Sequence, residues 1–311
     1  NGRTNMNEQL KSLLCDVRTV AMEYSPKAEL PRMSRVDAGT LELVRSFGVD
    51  VVSSSDTFQY AVQRWNRAQL DSHLVAARKL DDIVQQAFSC IGQSLPLGIS
   101  EFDVAEFIRQ QFIDKGMVVT DGPVVAVNEH SSDPHFDPSP DDSRLIMPGD
   151  WVLIDLWSRL EGKDTMFADI TWTAYVGTNV PELYQRVFDS VIGARDAALA
   201  EMQKTFAAGR ILQGWQVDAV ARNYISEAGY GEYFNHRLGH SLGREVHGNA
   251  VNLDGWETHD TRYLLPGVAV TIEPGIYLTE VGVRSEINVY LSEDGPQVTT
   301  NLQNSVVIIT E

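Results

Sequence analysis

Four carboxylates and one histidine, all residue types that bind metal ions, occur along the second half of the chain. They are Asp155 in VLIDLW, Asp169 in FADIT, His240 in LGHSLG, Glu273 in TIEPG and Glu286 in RSEIN. Each carboxylate lies in or beside an apolar run, where an unpaired charge is costly or is neutralised by a proton. Because a pair of divalent cations would remove that cost, the set predicts the centre of a two-metal hydrolase.

The spacing of the two aspartates predicts a hairpin. GDWVLIDLWS and MFADITWTAYVG are typical of strands, and the polar stretch RLEGKDT joins them. The midpoint between Asp155 and Asp169 falls on Gly162, inside this turn, so we expect the two side chains to face each other. Opposed carboxylates repel unless a cation lies between them. Oxygen ligands favour Mn²⁺ or another first-row divalent ion.

The two glutamates belong to a second predicted strand pair, GVAVTIEPGIYL and GVRSEINVYL. Glu273 and Glu286 lie symmetrically about the point between Thr279 and Glu280, which predicts that they face each other, although Pro-Gly interrupts the first strand. A lone Asp in a strand usually lies on a solvated face, and a lone Glu beside Pro-Gly usually marks a turn. Without a metal site, the two aspartates of one hairpin would each need a separate explanation for their apolar surroundings. A metal site explains both, so this hypothesis is the stronger one.

Four of the seven histidines occupy informative positions: His135 in DPHFDP, His236 and His240 in NHRLGH, and His247 in REVHGN. HRLGH has the spacing that binds zinc on a helix, but Arg237 replaces the glutamate of the HExxH motif and Gly239 weakens a helix. Together with Gly243 and Gly248, Gly239 favours a loop and strand whose backbone comes close to a ligand. Solvated or capping roles are expected for the other three, His73, His130 and His259.

The motif order, with PH, D, D, HRxGHSxGxxVHG, xIEPGIY and VRSE, resembles the pita-bread metallopeptidase family. That family contains Xaa-Pro dipeptidase (prolidase), aminopeptidase P and methionine aminopeptidase. The resemblance covers roughly residues 69–311 and implies an α+β pita-bread fold with two pseudo-two-fold α-β halves. It also implies one metal held by Asp155, a second held by His240 and Glu273, and both bridged by Asp169 and Glu286.

The resemblance assigns further roles around the metals. Glu273 would shuttle a proton to the leaving amine, and His247 would stabilise the scissile carbonyl as an oxyanion. The substrate would be held by His135, His236 and Arg284. The positions of His236 and Arg284 relative to the metal ligands favour the proline-directed branch.

Two departures from the family pattern bear on the substrate. Trp172 stands where many relatives have a basic residue, and the loop VNEHSSDPHFDPSPDD is unusually acidic and rich in proline. Both features leave the preferred length and side chains of the substrate open.

Composition limits the partners. The chain has 25 Lys and Arg against 43 Asp and Glu, and its net charge of -18 argues against nucleic acid or an anionic membrane. Cys15 and Cys90 have no metal-ligand spacing and no disulfide framework, which suits a cytoplasmic protein. No apolar run approaches the ~20 residues of a membrane helix. The resemblance adds a homodimer as an expectation.

Helical patterns are expected to position the strand pairs. One helix is predicted from about Ala68 to Ile91, and Ser100 with Asp103 resembles a capping box for a helix that runs to Gly116. Pro181 opens a third helix. The segment QGWQVDAVARNYISEAGYG predicts a fourth helix that ends at Gly229.

The N-terminal segment alternates strand-like and helix-like runs, and Val36, Leu41, Leu43 and Val44 predict one helix face. It resembles the back part of a creatinase-like α/β domain, so we expect a partial N-terminal domain over residues 1–67 and the catalytic domain over residues 68–311. The resemblance implies that the front of the N-terminal domain is missing.

The predicted activity is hydrolysis of the Xaa-Pro bond of dipeptides or short peptides, with two divalent ions as cofactors. Mn²⁺ is expected, with Co²⁺ or Zn²⁺ as alternatives. Other hypotheses are a pita-bread hydrolase of another small amide or an ester, metal-free creatinase-like catalysis, and a non-catalytic module that binds a protein partner. The complete carboxylate set argues against the last two.

Overall fold

The computed structural model describes residues 2–119 and 121–310, in which helices alternate with strand pairs. The helices are α1 (Arg3–Leu14), α2 (Ala38–Ser46), α3 (Ser55–Phe58), α4 (Arg67–Ser94), α5 (Glu101–Asp114), α6 (Glu182–Ala207) and α7 (Gly214–Glu227). The strands are β1 (Thr19–Met22), β2 (Asp50–Ser53), β3 (Val124–Val127), β4 (Trp151–Ser158), β5 (Ala168–Val176), β6 (Ser241–Leu242), β7 (Ala269–Ile272), β8 (Gly275–Tyr277), β9 (Gly282–Arg284), β10 (Ile287–Ser292), β11 (Gly295–Val298) and β12 (Val307–Ile309).

The ends of the long helices follow local signals in the sequence. The Ser100 side chain accepts from the Asp103 amide while Asp103 accepts from the Ser100 amide, so the predicted capping box of α5 is confirmed. Asn66 and Gln69 form a second capping box at the start of α4. Gly229 follows α7 with φ +89°, a conformation that favours glycine. These signals place α4 to α7 close to where the sequence predicted them.

Two four-stranded sheets with their helices form the two α-β halves. The first sheet has the order β12-β5-β4-β3 and is covered by α4 and α5. The second has the order β11-β10-β7-β6 and is covered by α6, on which α7 packs. Each half buries its own apolar cluster, as in Leu80 and Ile154 of the first and Val191 and Val270 of the second. The predicted α+β layout in two halves is therefore confirmed.

The two halves are joined where β10 lies against β5. The Asn288 side chain accepts from the Asp169 amide at 3.0 Å and donates to the Asp169 carbonyl oxygen. The Glu286 amide donates to the Thr171 carbonyl oxygen at 3.2 Å. Both predicted metal-bridging residues are thus anchored at this junction by the backbone.

The register of the aspartate hairpin differs from the prediction. The β4–β5 ladder pairs Trp157 with Asp169 and Asp155 with Thr171, so the two aspartates are diagonal neighbours and the expectation that they face each other directly is wrong. The connection over residues 159–167 is long and irregular, so its midpoint does not fix the register. Because side chains alternate along a strand, both carboxylates still project from the same face.

The register of the glutamate pair agrees with the prediction. The β7–β10 and β8–β9 ladders share one register, in which Glu273 would lie opposite Glu286. The ladder is interrupted at both glutamates. Pro274, which follows Glu273, has no amide hydrogen to donate to the opposite strand. The Glu273 amide donates instead to the Leu238 carbonyl oxygen at 2.8 Å.

The HRLGH segment is not helical, as its sequence predicted. A Cβ atom added at Gly239 would lie 2.1 Å from the Thr271 carbonyl oxygen, and one added at Gly248 would lie 3.0 Å from the Ser241 carbonyl oxygen. These glycines therefore allow a close approach to neighbouring backbone, and the expected approach to a ligand stays a prediction.

Two histidines expected at the surface are held inside. His73 is completely buried, with Nδ1 2.7 Å from the Phe167 carbonyl oxygen and Nε2 2.7 Å from Thr299 Oγ1. His130 is largely covered and bonds to Glu101. Both predictions of a solvated or capping role were wrong, whereas His259 is exposed as expected.

The N-terminal segment contains a parallel β1–β2 pair with α2 between its strands, in line with the predicted alternation. Val44 is the residue of α2 that is buried. The boundary at residues 67 and 68 stays a prediction, with α4 beginning at Arg67. Within the described part of the chain, the helices are all too short or too polar to cross a membrane.

Candidate metal centre

A cavity of about 460 Å³ lies where the two halves meet, and the structure brings all nine predicted site residues to its wall. These are Asp155, Asp169, His240, Glu273, Glu286, His135, His236, His247 and Arg284. They come from β4, β5, β9, the connection between β3 and β4, and the segments around β6, β7 and β10, so no single motif could build the cavity. Their roles as ligands or substrate contacts stay predictions.

Three of the predicted ligands converge most closely. Asp169, His240 and Glu286 are buried, and each offers a ligand atom within 4.8 Å of the other two. His240 Nε2 lies 3.5 Å from Asp169 Oδ2 and 3.4 Å from Glu273 Oε1. Its Nδ1 lies 3.2 Å from the Ser241 carbonyl oxygen, which can only accept, so Nδ1 carries the proton. The lone pair of Nε2 then points among carboxylates, as a metal ligand would.

Buried oxygens without partners show that the pocket fits a cation. Asp155 Oδ1, Asp169 Oδ1 and Glu286 Oε1 are buried, and none of them has a hydrogen-bond donor among the described residues. Such atoms are rare because each costs a full desolvation penalty. Divalent cations would satisfy all three at once, and carboxylate oxygens with one imidazole suit a hard or borderline ion such as Mn²⁺.

The pKa values of the carboxylates point the same way. Burial raises the pKa of Asp169 and of Glu286 well above the usual range, and the neighbouring carboxylates raise both further. Burial also raises the pKa of Glu273. Without cations, these buried carboxylates therefore bind protons more tightly than isolated carboxylates do.

Arg284 lies among the carboxylates as well as at the cavity wall. Its Nη2 donates to Asp155 Oδ2, its Nη1 donates to the Tyr277 hydroxyl at 2.8 Å, and its Nε donates to Thr171 Oγ1 at 3.2 Å. The side chain is only 5% exposed. This guanidinium therefore stabilises the charge on Asp155, while the predicted contact with the substrate stays open.

Two threonine hydroxyls orient predicted ligands and were not identified from the sequence. Thr171 Oγ1 donates to Glu286 Oε2 at 2.9 Å, and Thr271 Oγ1 donates to Glu273 Oε1 at 3.1 Å. Thr271 Oγ1 also accepts from the His240 amide at 2.9 Å. Each of these threonines lies two positions from a predicted carboxylate ligand. This spacing could have drawn attention to Thr171 and Thr271 in the sequence.

His236 is neutral and is held by a tyrosine. Its Nδ1 lies 2.6 Å from the Arg237 carbonyl oxygen, so the proton is on Nδ1 and Nε2 accepts from the Tyr277 hydroxyl at 2.8 Å. Burial and the nearby Arg284 lower the pKa of His236 to about 3. Burial also raises the pKa of Tyr277 to about 12, which keeps the hydroxyl as a donor. Tyr277 was missed in the sequence because its signal lies only in this tertiary contact.

His247 and His135 lie at the open side of the cavity. The His247 ring is 4.4 Å from the His240 ring, centroid to centroid, and it is exposed to the cavity space. Desolvation by the surrounding groups, with a contribution from His240, still lowers the pKa of His247 to about 4, so its imidazole is neutral at pH 7. The His135 side chain is 91% exposed.

Trp172, one of the two departures from the family pattern, projects away from the cavity. Asp169 and Thr171 project toward the centre, so Trp172, between Thr171 and Thr173, projects from the opposite face of β5, where it packs against the first apolar cluster. Trp172 does not line this cavity, and its influence on the substrate stays a prediction. Trp157 and Phe136 are the large aromatic residues at the wall, and Trp157 Nε1 donates to Asp121 Oδ1 at 3.3 Å.

The fold and this centre define a pita-bread metallopeptidase. Residues 74–293 match Metallopeptidase family M24, and the chain belongs to that family. Its members depend on divalent metal ions and act on peptide substrates.

Among curated relatives, the chain is 34% identical to the uncharacterized peptidase YqhT of Bacillus subtilis. That match covers 73% of this chain and 60% of YqhT. It is 29% identical to the putative dipeptidase YkvY of the same organism, over 89% of this chain and 73% of YkvY. The chain therefore spans less than two thirds of the length of YqhT.

Solved structures with the same fold include three named peptidases. Dipeptidase PepE from Mycobacterium ulcerans superposes with a TM-score of 0.72 at 26% identity, over 89% of this chain and 70% of PepE. X-Pro aminopeptidase from Thermotoga maritima gives 0.68 at 27% identity, over 99% and 80% of the two chains. Prolidase from Thermococcus sibiricus gives 0.70 at 25% identity, over 98% and 76%.

Proposed function

We propose that this protein hydrolyses the Xaa-Pro bond of dipeptides or short peptides at a centre of two divalent cations. The observation that carries the proposal is the set of three buried carboxylate oxygens, on Asp155, Asp169 and Glu286, that have no donor among the described residues. A pocket built only for stability would pair such oxygens with donors. The similarity to an X-Pro aminopeptidase and a prolidase supports proline as the second residue.

The proposed ligands are Asp155, Asp169, His240, Glu273 and Glu286. Two cations bound among them would supply a water with a pKa lowered toward neutrality as the nucleophile. Mn²⁺ is the proposed ion because four of the five ligands are carboxylates.

Glu273 is the proposed proton carrier. Its side chain is 15% exposed, against 6% for Asp169, so it is the more accessible of the two carboxylates beside His240. Burial raises the pKa of Glu273, which makes this carboxylate a better proton acceptor than an exposed one. Glu273 would accept the proton of the attacking water and deliver it to the leaving proline nitrogen.

Three histidines and Arg284 would handle the substrate. His247 is neutral and open to the cavity, so its N–H can donate to the carbonyl oxygen as negative charge develops there. His236, fixed by Tyr277, and Arg284 would line the side of the cavity that receives the substrate. His135 would contact the substrate from the exposed rim. We also propose a cytoplasmic homodimer.

A matched peptide panel tests this proposal. The purified, Mn-loaded protein is incubated with Xaa-Pro, Xaa-Pro-Yaa and Xaa-Ala peptides, and the released amino acids are quantified. Release from Xaa-Pro but not from Xaa-Ala supports the proposal. Equal release from both would favour a general dipeptidase, a candidate supported by the similarity to PepE and YkvY. No release from any peptide would leave hydrolysis of another amide or an ester, or a binding role, as the alternatives.

A further inference from the structure

A single buried carboxylate, that of Glu101, holds both ends of the loop that forms one wall of the cavity. This loop, residues 128–146, is the larger part of the connection between β3 and β4. Its middle part contributes Pro134, His135, Phe136 and Asp137 to the cavity lining. Much of the loop has no regular secondary structure, so side-chain contacts must fix its path.

Glu101 is the first residue of α5 and is completely buried. Its Oε1 accepts from the Val127 amide at 2.7 Å, where β3 ends and the loop begins. Its Oε2 accepts from the Arg144 amide at 2.8 Å, close to the end of the loop. The Glu101 amide also donates to the Arg144 carbonyl oxygen at 3.0 Å. One side chain therefore brings the two ends of the loop together.

The same carboxylate reaches the middle of the loop through His130. His130 Nδ1 lies 3.0 Å from both oxygens of Glu101. The His130 ring stacks on Phe136, with ring centroids 4.2 Å apart and an angle of 29° between the ring planes. Phe136 lies between His135 and Asp137, so its position sets where these two polar side chains meet the cavity.

The chemistry of this contact requires a carboxylate. Two backbone amides and one imidazole all donate to Glu101, and an ionised carboxylate accepts at both oxygens. A glutamine of the same shape would turn an N–H group toward one of these donors. The buried charge is costly, and three donors offset that cost only in this arrangement.

We propose that Glu101 is a positioning residue for the substrate, acting through His130 and Phe136 on the loop that presents His135 and Asp137. Glu101 makes no hydrogen bond to any of the predicted metal ligands within the described chain. It should therefore affect how a peptide is held, not how cations are bound. This inference rests on the proposed function in so far as the cavity receives a peptide.

Hydrogen exchange tests the loop directly. In the metal-loaded Glu101→Gln variant, amides of residues 128–146 should exchange about tenfold faster or more, while those of α6 and β10 stay protected. The matched control is Glu129→Gln, which removes a half-exposed carboxylate of the same loop that pairs with the Arg144 side chain. Unchanged exchange in Glu101→Gln, or an equal increase in the control, would overturn the proposal.

Kinetics on the best peptide of the panel test the consequence for the substrate. Glu101→Gln should raise KM by about tenfold or more, with a smaller change in kcat and unchanged metal content. His130→Phe keeps the ring but loses the donor, and should behave like Glu101→Gln. Their effects should not add fully in the double variant, because both variants break the contact between Glu101 and His130. Additive effects, or loss of metal, would contradict the proposed relay.

The two proposals can fail separately. If wild type cleaves Xaa-Pro and the KM of both variants stays at the wild-type value, Glu101 has no positioning role although the proposed function stands. If wild type cleaves nothing in the panel, the proposed function fails. Hydrogen exchange in Glu101→Gln and His130→Phe then still decides whether this carboxylate orders the loop. Should Glu101→Gln fail to fold, the milder His130→Phe carries both measurements.

Discussion

The Thr171 hydroxyl donates a 2.9 Å hydrogen bond to Glu286 Oε2 and so connects the aspartate hairpin with the glutamate pair. Thr271 makes the corresponding 3.1 Å bond to Glu273 Oε1 in the other half. Each threonine lies two residues from a predicted ligand on the same strand. A hydroxyl that donates to one carboxylate oxygen leaves the other free for a cation, so these threonines orient the predicted ligands.

Thr171→Val should weaken metal binding by about 10- to 100-fold, because the outer partner of a ligand is lost without a change in shape. Mn²⁺ affinity measured by calorimetry checks this. The control is Thr173→Val, one pleat along the same strand, where the hydroxyl has only a 3.5 Å contact with Gln303 Oε1. Equal affinity in both variants would show that Thr171 does not orient Glu286.

Removal of metal should lower the melting temperature by about 5 °C or more, since bound cations stabilise only the folded state. The physical reason is the cluster of like charges at Asp155, Asp169, Glu273 and Glu286, in which three buried oxygens have no donor among the described residues. Scanning calorimetry with and without a chelator measures the shift, and elemental analysis should find up to two divalent ions per chain. A metal-soaked sample that binds none would contradict the ligand assignment.

His240 and His247 should separate metal binding from chemistry. His240→Ala removes an Nε2 that lies within 3.5 Å of two carboxylates, so metal content should fall. His247→Ala should keep its metal while kcat falls on the order of 10² to 10³, the usual cost of losing an oxyanion donor. Metal analysis and steady-state kinetics on the same preparations check both. Equal metal loss in the two variants would mean that the roles have been misassigned.

Local signals made much of the fold predictable. The capping box at Ser100 and the glycine at residue 229 act on the backbone directly beside them. The sequence therefore predicted the start of α5 and the end of α7 closely. The glutamate register was also predictable, because the two strand pairs around Glu273 and Glu286 keep one alignment. The aspartate register was not, since residues 159–167 form a long connection that does not follow the symmetry of a tight hairpin.

The candidate site was predictable where a residue type carries its chemistry with it. Asp169 and His240 stand out in apolar surroundings, and the structure brings them together. Tyr277 and Glu101 were missed because their importance comes from partners far away in the chain, His236 and Arg144 among them. His73 was misjudged for the same reason: its partners, Phe167 and Thr299, are visible only after folding.

His73 should make stability depend on pH below neutrality. Burial lowers the pKa of this imidazole from 6.5 to about 4, so the folded state keeps it neutral while the unfolded chain binds a proton below pH 6.5. The contribution of neutral His73 to the free energy of unfolding is thus fully present above pH 6.5 and is lost as the pH falls toward 4.

A His73→Gln variant isolates this effect, because glutamine does not titrate. At pH 7 the variant should be less stable than wild type, since it disturbs two buried 2.7 Å contacts. Between pH 7 and pH 5, protonation of His73 in the unfolded chain should lower the free energy of unfolding of wild type by about 2 kcal/mol, and the variant should show no such loss. The difference in free energy of unfolding between the two proteins should therefore narrow by that amount. Urea unfolding of both proteins at each pH measures it. A gap that stays constant or widens on acidification would show that His73 is not held neutral in the folded state.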